Sequence, residues 1–375
     1  METVDVAIAG GGLIGATIGF ELARAGLHVA IFDRQHPGEG ASWAAAGILS
    51  PAPENSGMIP MVPLGRESLK LYPEFVASVE EISGQSVGYR SKGTLESLFS
   101  RDAKAKLNTI VALHHGLGLR AEPLSAEDAR KMEPALSSEL EAAVLRPDEA
   151  SVDNRALIGA VLTADKRTGV KIFAGRSVKA ICKRGGRCTG LSVDNEKVEA
   201  RWTVIAAGCH SAEIEGVPSY APVRPAKGQM IALRARNFNL ERVLWSDQIY
   251  LVPRNDGRIL AGATVEYVGF EKEVTVGGLQ KILAGAVELA PRLADAHVQE
   301  TWAGLRPDSP DHLPIIGSTD LEGLLVATGH FRSGILLAPI TARLIRDWIA
   351  DQRVSLDWER FSPMRFVETS RATNS

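Results

Sequence analysis

The first 34 residues constrain the fold more than any other stretch. Residues 3–9 are mainly small and β-branched apolar residues, a pattern typical of a short strand buried on both faces. Three glycines follow with the spacing G-x-G-x-x-G: Gly10, Gly12 and Gly15. In this motif the first glycine permits a tight turn, the second lets the backbone approach a pyrophosphate, and the third lets a helix pack closely. Its position after a strand predicts a dinucleotide-binding turn.

The residues after these glycines complete a βαβ unit. Residues 13–25 have a helical pattern, and Gly26 is placed to end that helix in a left-handed conformation. The helix would direct its unpaired N–H groups and the positive end of its dipole at the phosphates. Residues 27–32 predict a second strand leading to Asp33, whose carboxylate would accept hydrogen bonds from a ribose and repel a 2′-phosphate. The unit disfavours NADP and does not separate FAD from NAD.

Length and composition exclude several classes of protein. The 375 residues are enough for two domains, and 45% hydrophobic with 23% charged residues is typical of a soluble globular chain. A formal net charge of −3 without basic runs gives no general attraction to nucleic acid. The three cysteines have no C-x-x-C spacing, and the apolar start lacks a basic leader region. We therefore expect free thiols, no membrane segment and a cytoplasmic protein.

After the βαβ unit, helical patterns alternate with strand patterns. Beyond Pro218 the strand patterns and turns indicate an antiparallel sheet. The loop at 36–54, HPGEGASWAAAGILSPAPE, has small side chains that would let backbone lie against a flat ligand; the alternative is a flexible connection. Predicted helices cover residues 66–83, 101–117, 125–133, 151–167, 278–289 and 335–350. Predicted strands cover residues 87–98, 170–173, 201–208, 223–235, 242–252, 258–265, 298–305 and 324–330, with hairpin turns at 185–186 and 255–257.

No metal site is predicted. His114 and His115 lie near a helix end, where adjacent side chains point in different directions, and no carboxylate stands at ligand spacing. Cys182 and Cys188 flank a hairpin turn without further ligands. Packing explains these cysteines better than redox or metal chemistry, although the sequence leaves both open.

Five segments, in order along the chain, carry a resemblance to a known family. They are AAAGIL at 44–49, GQM at 228–230, YLVPR at 250–254, WAGLRPDSPDHLPIIG at 302–317 and GHFRSGILLAP at 329–339. Together they resemble the glycine oxidases of the thiamine pathway, within the D-amino-acid oxidase superfamily. The resemblance implies FAD rather than NAD. It also implies noncovalent binding, since 302–317 lacks the cysteine that tethers flavin in the related monomeric sarcosine oxidases.

The implied fold class is α/β, with two domains. One is a discontinuous Rossmann-like FAD-binding domain of the glutathione-reductase type, expected at residues 1–87, 145–220 and 304–375. The other is an α+β substrate-binding domain with a large antiparallel sheet, expected at residues 88–144 and 221–303.

The resemblance also assigns substrate contacts. Arg306 matches the arginine that binds the substrate carboxylate, for which a planar guanidinium fork is suited. Tyr250 matches a tyrosine whose hydroxyl adds a contact, and the backbone of Arg332 would help to place the amine while its side chain borders the pocket. The alternative for Arg306 is an arginine in a surface ion pair. The alternative for Tyr250 is a tyrosine that only packs within a strand. Ile48 and Val265 would form the pocket wall, where the Bacillus-type pattern has methionines.

Most flavin contacts would come from backbone. Val178 matches a position at the adenine, and Gly208 one near the pyrophosphate or ribityl chain. The helix that starts near Ile335 would face flavin N1 and C2=O, where its dipole stabilises negative charge. His330 lies beside the flavin in the family or is a satisfied core histidine, and Trp43, which replaces a small residue, has no explanation from the sequence. The full expected set is Gly10, Gly12, Leu13, Ile14, Gly15, Asp33, Arg34, Ser42, Ala45, Ala46, Gly47, Val178, Ala207, Gly208, Arg306, His330, Arg332, Ser333, Gly334, Ile335 and Leu336.

The expected activity is oxidation of glycine and other small amines, including sarcosine and small D-amino acids. A hydride would pass to flavin N5 and O2 would yield hydrogen peroxide, in a homotetramer that supplies an imine for thiazole synthesis. Two alternatives stay open: a D-amino-acid dehydrogenase with a non-oxygen acceptor, and a flavin-binding subunit without turnover.

Overall fold

The computed structural model describes residues 4–100, 102–354, 356 and 358–367. No helix among them has the length and apolar character needed to cross a membrane. The strands are β1 Val4–Ala9, β2 Val29–Asp33, β3 Ile48–Leu49, β4 Thr94–Leu98, β5 Glu122–Ser125, β6 Ala142–Arg146, β7 Ala150–Ser151, β8 Lys171–Ala174, β9 Val178–Arg184, β10 Arg187–Val193, β11 Glu196–Ile205, β12 Arg224–Arg234, β13 Val243–Trp245, β14 Tyr250–Pro253, β15 Ile259–Gly262, β16 His297–Asp308, β17 Ile315–Ser318 and β18 Leu324–Thr328. The α-helices are α1 Leu13–Arg24, α2 Ala41–Ala44, α3 Val62–Ser83, α4 Ala103–Gly116, α5 Ala126–Met132, α6 Asn154–Arg167, α7 Val276–Leu289 and α8 Gly334–Asp351. Short 3-10 turns lie at Ser56–Met61, Gly208–Glu213, Pro291–Asp295 and Glu359–Phe361.

Several predicted strands are shorter or divided in the structure, and two of them, 258–265 and 324–330, are simply shortened to Ile259–Gly262 and Leu324–Thr328. Residues 87–98 form a strand only from Thr94, because Gly88 and Gly93 have positive φ values of 62° and 79° that interrupt extended backbone. Residues 242–252 form β13 and β14 rather than one strand. The hydroxyl of Ser246 accepts a hydrogen bond from the Ile249 N–H at 3.2 Å and stabilises a turn between them. Residues 3 and 101, at which a strand and a helix were predicted to begin, lie outside the described residues.

The first sheet is built around β1. Its strand order is β17-β18-β11-β1-β2-β8, parallel except for β17, and the β9–β10 hairpin extends from β11. Alternate residues of β1 pack on opposite faces: Val6 and Ile8 lie in a core with α1, α3, α6 and α8, whereas Ala7 and Ala9 pack toward the hairpin. The predicted Rossmann-like architecture is confirmed.

The second sheet has the order β16-β12-β15-β14-β13-β4-β6-β5, antiparallel except for the β13–β4 pair. One face packs on helices through residues such as Ile282 and Ala286 of α7. The other face, which includes Met230 and Trp302, packs against the alanine-rich loop that contains Ala44. The large antiparallel sheet that was predicted is therefore present, and one of its faces is turned toward the first sheet.

The predicted boundaries at 144/145 and 303/304 fall inside β6 and β16. Each of these strands belongs as a whole to the second sheet. We propose the same division into two domains, with these two boundaries moved to the ends of β6 and β16. The outer parts of the predicted ranges 1–87 and 304–375 include residues outside the described part of the chain.

Helix α8 needs external support because it contains Pro339, which has no N–H to donate to the Ile335 carbonyl. Tyr72 of α3 donates its hydroxyl to that carbonyl at 2.6 Å. Ser68, one turn earlier on α3, donates to the Leu336 carbonyl at 2.5 Å. Tyr72 is fully buried, and burial raises its pKa well above the usual value, so the phenol remains a donor. Helix α3 thus holds the first turn of α8.

We predict that Tyr72→Phe lowers the free energy of unfolding by about 1–3 kcal/mol, because a buried carbonyl loses its donor. Urea titration of the flavin-loaded protein measures this change. Tyr89→Phe is the matched control, since Tyr89 stacks on Tyr72 at 6.1 Å and no hydrogen bond of its hydroxyl is found among the described residues. Equal losses in the two variants would contradict a specific role for the Tyr72 hydroxyl.

Candidate active site

A cavity of about 1120 Å³ lies between the two sheets. Every residue that the sequence assigned to the cofactor, the substrate or the pocket wall lines it, except Gly15. Segments distant in sequence meet here: the glycine turn, the loop at 41–54, the second sheet and the start of α8. The volume exceeds what a small amino acid alone requires, since pockets for drug-sized ligands occupy about 300–1000 Å³.

The glycine turn has the close contacts that its motif predicts. Gly10 has φ +104°, and a Cβ there would lie 2.4 Å from the Ala206 carbonyl oxygen. A Cβ on Gly15 would lie 2.0 Å from the Gly10 carbonyl oxygen, so Gly15 sets the packing of α1 on the turn instead of facing the cavity. Helix α1 begins beside the cavity, where Ser42 accepts a hydrogen bond from the Leu13 N–H at 2.8 Å.

Asp33 lies at the end of β2 and borders the cavity next to the glycine turn. Its two carboxylate oxygens accept hydrogen bonds from the Gly11 and Gln35 N–H groups at 2.8 and 2.9 Å. These bonds fix the orientation of the carboxylate at the edge of the cavity. Beside it, Arg34 lies 2.5 Å from a ring nitrogen of His210.

Three side chains that the sequence analysis missed hold the alanine-rich loop. Asn154 donates from its amide nitrogen to the carbonyls of Ser42 and Trp43 at 2.8 and 2.9 Å. Arg254 donates to the Ala46 carbonyl at 2.9 Å and to the Asn154 side-chain oxygen at 2.8 Å. Burial lowers the pKa of Arg254 to about 10. Two features of the sequence could have indicated these contacts: Asn154 is a polar residue at the start of a helix, and Arg254 directly follows an apolar strand.

Arg155, the third of these side chains, explains Trp43. Its guanidinium lies 3.6 Å from the centre of the Trp43 ring and forms two hydrogen bonds with Glu300, at 2.9 and 3.0 Å. Trp302 meets the Trp43 ring edge-on at 6.1 Å and donates its indole N–H to the Ala44 carbonyl at 3.0 Å. Trp43 therefore links the loop to the second sheet through a cation–π contact and an aromatic pair.

Arg306 lies on β16 with its guanidinium across the backbone of the neighbouring strand. A Cβ on Gly228 would come within 2.3 Å of two guanidinium nitrogens, so a side chain there would displace the guanidinium from this position. Arg306 donates to the Thr264 carbonyl at 3.1 Å, and the Thr264 hydroxyl accepts from the Gln229 N–H at 3.0 Å. Among the described residues we find no carboxylate paired with Arg306. This arrangement differs from a surface ion pair and leaves charge available to a ligand.

Tyr250 lies on β14, with its ring against Trp245 and its hydroxyl 3.3 Å from the Met230 sulfur. Desolvation raises the pKa of Tyr250, while the positive charge of Arg306 acts in the opposite direction. The phenol is protonated at neutral pH and donates to the Met230 sulfur, a weak acceptor from which a ligand carboxylate could take over the hydrogen bond. The tyrosine is also packed, so the two interpretations drawn from the sequence are compatible.

The start of α8 faces the cavity with backbone groups. Gly334, Ile335 and Leu336 form its first turn and line the cavity, and N–H groups at this position have no intrahelical partner. The Phe331 N–H donates to the Pro307 carbonyl at 2.9 Å, which ties this segment to the end of β16. The helix terminus thereby lies close to the strand that carries Arg306.

His330 and Arg332 flank this turn with different functions. His330 is buried and bonded to the Thr341 hydroxyl at 3.0 Å, and burial lowers its pKa to about 3. It is both a lining residue and a satisfied, neutral core histidine. Arg332 forms an ion pair with Glu54, a residue that the sequence analysis did not select.

The remaining predicted residues lie at the ends of the cavity. Ile48 is half-buried in β3, and Val265 is 38% exposed, so the wall at Val265 is open to solvent. Val178 begins β9, and Ala207 and Gly208 follow β11 beside the glycine turn. These positions agree with one elongated ligand that extends from the N-terminal βαβ unit to α8.

The residues present fit a flavin dinucleotide. Two helix N-termini, those of α1 and α8, offer N–H groups and positive dipole ends at separate places in one cavity. Asp33 borders the cavity at the end where a ribose is expected. The alanine-rich loop has small side chains at Ala44, Ala45 and Ala46, which leave space for a flat ring.

We predict that Gly15→Ala abolishes flavin binding, because a Cβ 2.0 Å from the Gly10 carbonyl forces the turn and α1 apart. The ratio of flavin to protein absorbance after purification measures the loss. Gly159→Ala is the control: Gly159 lies inside α6, where an added Cβ meets no atom within 4 Å, and alanine favours a helix there by about 1 kcal/mol. Retention of flavin by Gly15→Ala would contradict the assignment of the turn.

Comparisons with known proteins identify the family of this chain. The family model described as DAO, FAD dependent oxidoreductase, matches residues 5–348. The chain is 38% identical to the bifunctional protein ThiO/ThiG of Synechocystis sp., over 98% of this chain and 55% of that protein, and spans about half the length of such relatives. It is 33% identical to the glycine oxidase of Geobacillus kaustophilus, over 97% of each. The crystal structure of glycine oxidase from Geobacillus kaustophilus superposes with a TM-score of 0.91 at 32% identity, over 97% of this chain and 99% of that one. The resemblance seen in the sequence is confirmed: the chain belongs to the DAO family of FAD-dependent oxidoreductases, and its cofactor is FAD.

Proposed function

We propose that this protein is an FAD-dependent oxidase of glycine and other small amines, including sarcosine and small D-amino acids. The observation that carries the proposal is Arg306, a cation without a carboxylate partner among the described residues, beside Tyr250 in the FAD cavity. The similarity to glycine oxidases supports the same reaction type.

Arg306 and Tyr250 would position the substrate through its carboxylate. The guanidinium fork binds both carboxylate oxygens, and the protonated phenol donates a further hydrogen bond. Gly228 leaves room for the guanidinium on one side, and the Thr264 carbonyl accepts a hydrogen bond from one of its nitrogens. Because these contacts immobilise the carboxylate, they restrict the positions that Cα and its hydrogens can take in the cavity.

Bound FAD supplies a two-electron acceptor for the Cα hydrogen, which leaves as hydride. His330 lines the cavity, but it is buried, neutral and bonded to Thr341, so we do not assign it the role of a general base. Loss of hydride from Cα uses the lone pair of the nitrogen, so the amine has to react in its neutral form. The N–H groups at the start of α8 stabilise negative charge that develops next to them. Hydrolysis of the imine product gives a 2-oxo acid and ammonia or an amine, and O2 takes up the electrons as hydrogen peroxide.

The biological setting is part of the proposal. The bifunctional relatives support a role in supplying an imine for thiamine thiazole synthesis. We expect a cytoplasmic homotetramer with noncovalent FAD. Ile48 and Val265 would limit the size of the substrate, although one methylene in an apolar pocket changes discrimination by only about 1–3 kcal/mol.

Two other functions remain as outcomes of the test. A dehydrogenase of the same fold would reduce the flavin with a D-amino acid and pass the electrons to a quinone or a protein. A flavin-binding subunit would bind no reactive amine at all. The second is disfavoured by the unpaired charge of Arg306.

The test is an anaerobic titration of the yellow protein with glycine, sarcosine, D-alanine and D-proline, followed by admission of air. We expect flavin bleaching by small amines and then peroxide in a one-to-one ratio to the glycine consumed. Bleaching without peroxide would identify the dehydrogenase. No bleaching by any amine would identify the subunit without turnover.

We predict that Arg306→Ala raises the apparent KM for glycine by about 10- to 150-fold while FAD stays bound, because hydrogen bonds to a charged group contribute about 1.5–3 kcal/mol. Arg306→Lys is expected to have an apparent KM between those of the unchanged protein and Arg306→Ala, since lysine keeps the positive charge and loses the planar fork. Arg343→Ala, at an exposed site on α8, is the control. Unchanged affinity for glycine in Arg306→Ala would refute the assignment.

A further inference from the structure

Arg306 and Arg332 both line the cavity and differ in their counter-charges. Arg306 has a neutral carbonyl as its partner, that of Thr264. Arg332 is paired with the carboxylate of Glu54, and the two side chains are 32% and 33% exposed. The Phe331–Pro307 hydrogen bond holds the segments that carry the two arginines together. The same end of the cavity therefore contains one arginine whose charge is available and one whose charge is neutralised.

The loop that carries Glu54 is anchored at Ser50. Ser50 donates its hydroxyl to the buried Glu149 carboxylate at 2.5 Å and accepts from the Ala52 N–H at 3.3 Å. Pro51 and Pro53 restrict the backbone between these contacts. The loop is therefore anchored on one side and restricted by its prolines, and Glu54 pairs with Arg332 from this loop while remaining partly exposed.

We propose that Glu54 restricts the substrate site to amines with one carboxylate by neutralising Arg332. The inference rests on the proposed function, since it concerns the substrates of that same site. A second carboxylate on the amine, as in iminodiacetate, would meet a paired arginine and the negative charge of Glu54. Without Glu54, Arg332 would become a second anion-binding group next to Arg306, and a charge-assisted pair with it would favour dicarboxylates.

The test uses the flavin-loaded enzyme and the isosteric variant Glu54→Gln. We expect the ratio of kcat/KM for iminodiacetate to that for glycine to rise by about tenfold or more, because a hydrogen bond to a charged group contributes about 1.5–3 kcal/mol. The rise should shrink at high salt, which screens partly exposed charges. An unchanged ratio would overturn the inference.

Two variants separate charge from structure. In Glu54→Gln combined with Arg332→Gln, the gain for iminodiacetate should disappear, and a gain that persists would show that Arg332 is not the anion site. Glu21→Gln removes a carboxylate from a partly exposed ion pair with Arg346, at 2.8 Å and outside the cavity, and should leave the ratio unchanged. An equal rise in Glu21→Gln would contradict a local effect.

A binding measurement separates this inference from the proposed function. Glutarate, the carbon isostere of iminodiacetate, and butyrate, which lacks its second carboxylate, cannot be oxidised as amines. Their affinities can be read from changes in the flavin spectrum. Glu54→Gln should increase the affinity for glutarate about tenfold relative to the affinity for butyrate, whether or not glycine is a substrate. Failure of glycine to reduce the flavin would refute only the proposed function, and an unchanged glutarate preference would refute only the inference.

Discussion

The structure depends on the presentation of unpaired backbone N–H groups to one cavity from the two ends of the chain. Helix α1 begins directly after the glycine turn, and α8 begins more than 300 residues later at Gly334. The turn can hold the start of α1 at the cavity only if its backbone segments pack closely, which is why Gly10 and Gly15 contact their neighbours at distances that admit no Cβ. The same requirement accounts for the small residues of the loop between the two helices.

Local patterns predicted the strand, the glycine turn and the helix at the start of the chain. The strand, turn and helix around Gly10 and the carboxylate at Asp33 are encoded within 34 residues, so their spacing alone contains the geometry. Residue identities taken from the family resemblance placed Arg306 and Tyr250 in the cavity, although physical reasoning from composition or periodicity would not have brought them together. The turn at Ser246 was missed because a hydroxyl that stabilises a turn is a weak signal in an apolar run.

The contacts that the sequence did not reveal connect residues far apart. Arg254 donates to a carbonyl 208 residues earlier, and Asn154 reaches carbonyls more than 100 residues earlier. No periodicity records such pairs, since each partner alone is compatible with an ordinary helix start or strand end. The ion pair of Glu54 and Arg332 is of the same kind: each residue lies in a motif-like segment, and only the fold makes one the counter-charge of the other.

The topology of β1 also has a consequence for how the chain folds. Its neighbours are β2, which follows within a few residues of α1, and β11, where Val4 pairs with Ala200. A growing chain can form the first pairing early, but the other edge of β1 stays exposed until about two hundred residues have been synthesised. Long-range pairing of this kind slows folding and leaves an apolar strand edge open to association with other chains. We therefore expect β1 to be the most aggregation-prone segment during synthesis. FAD is expected to bind only after β11 has covered the open edge of β1.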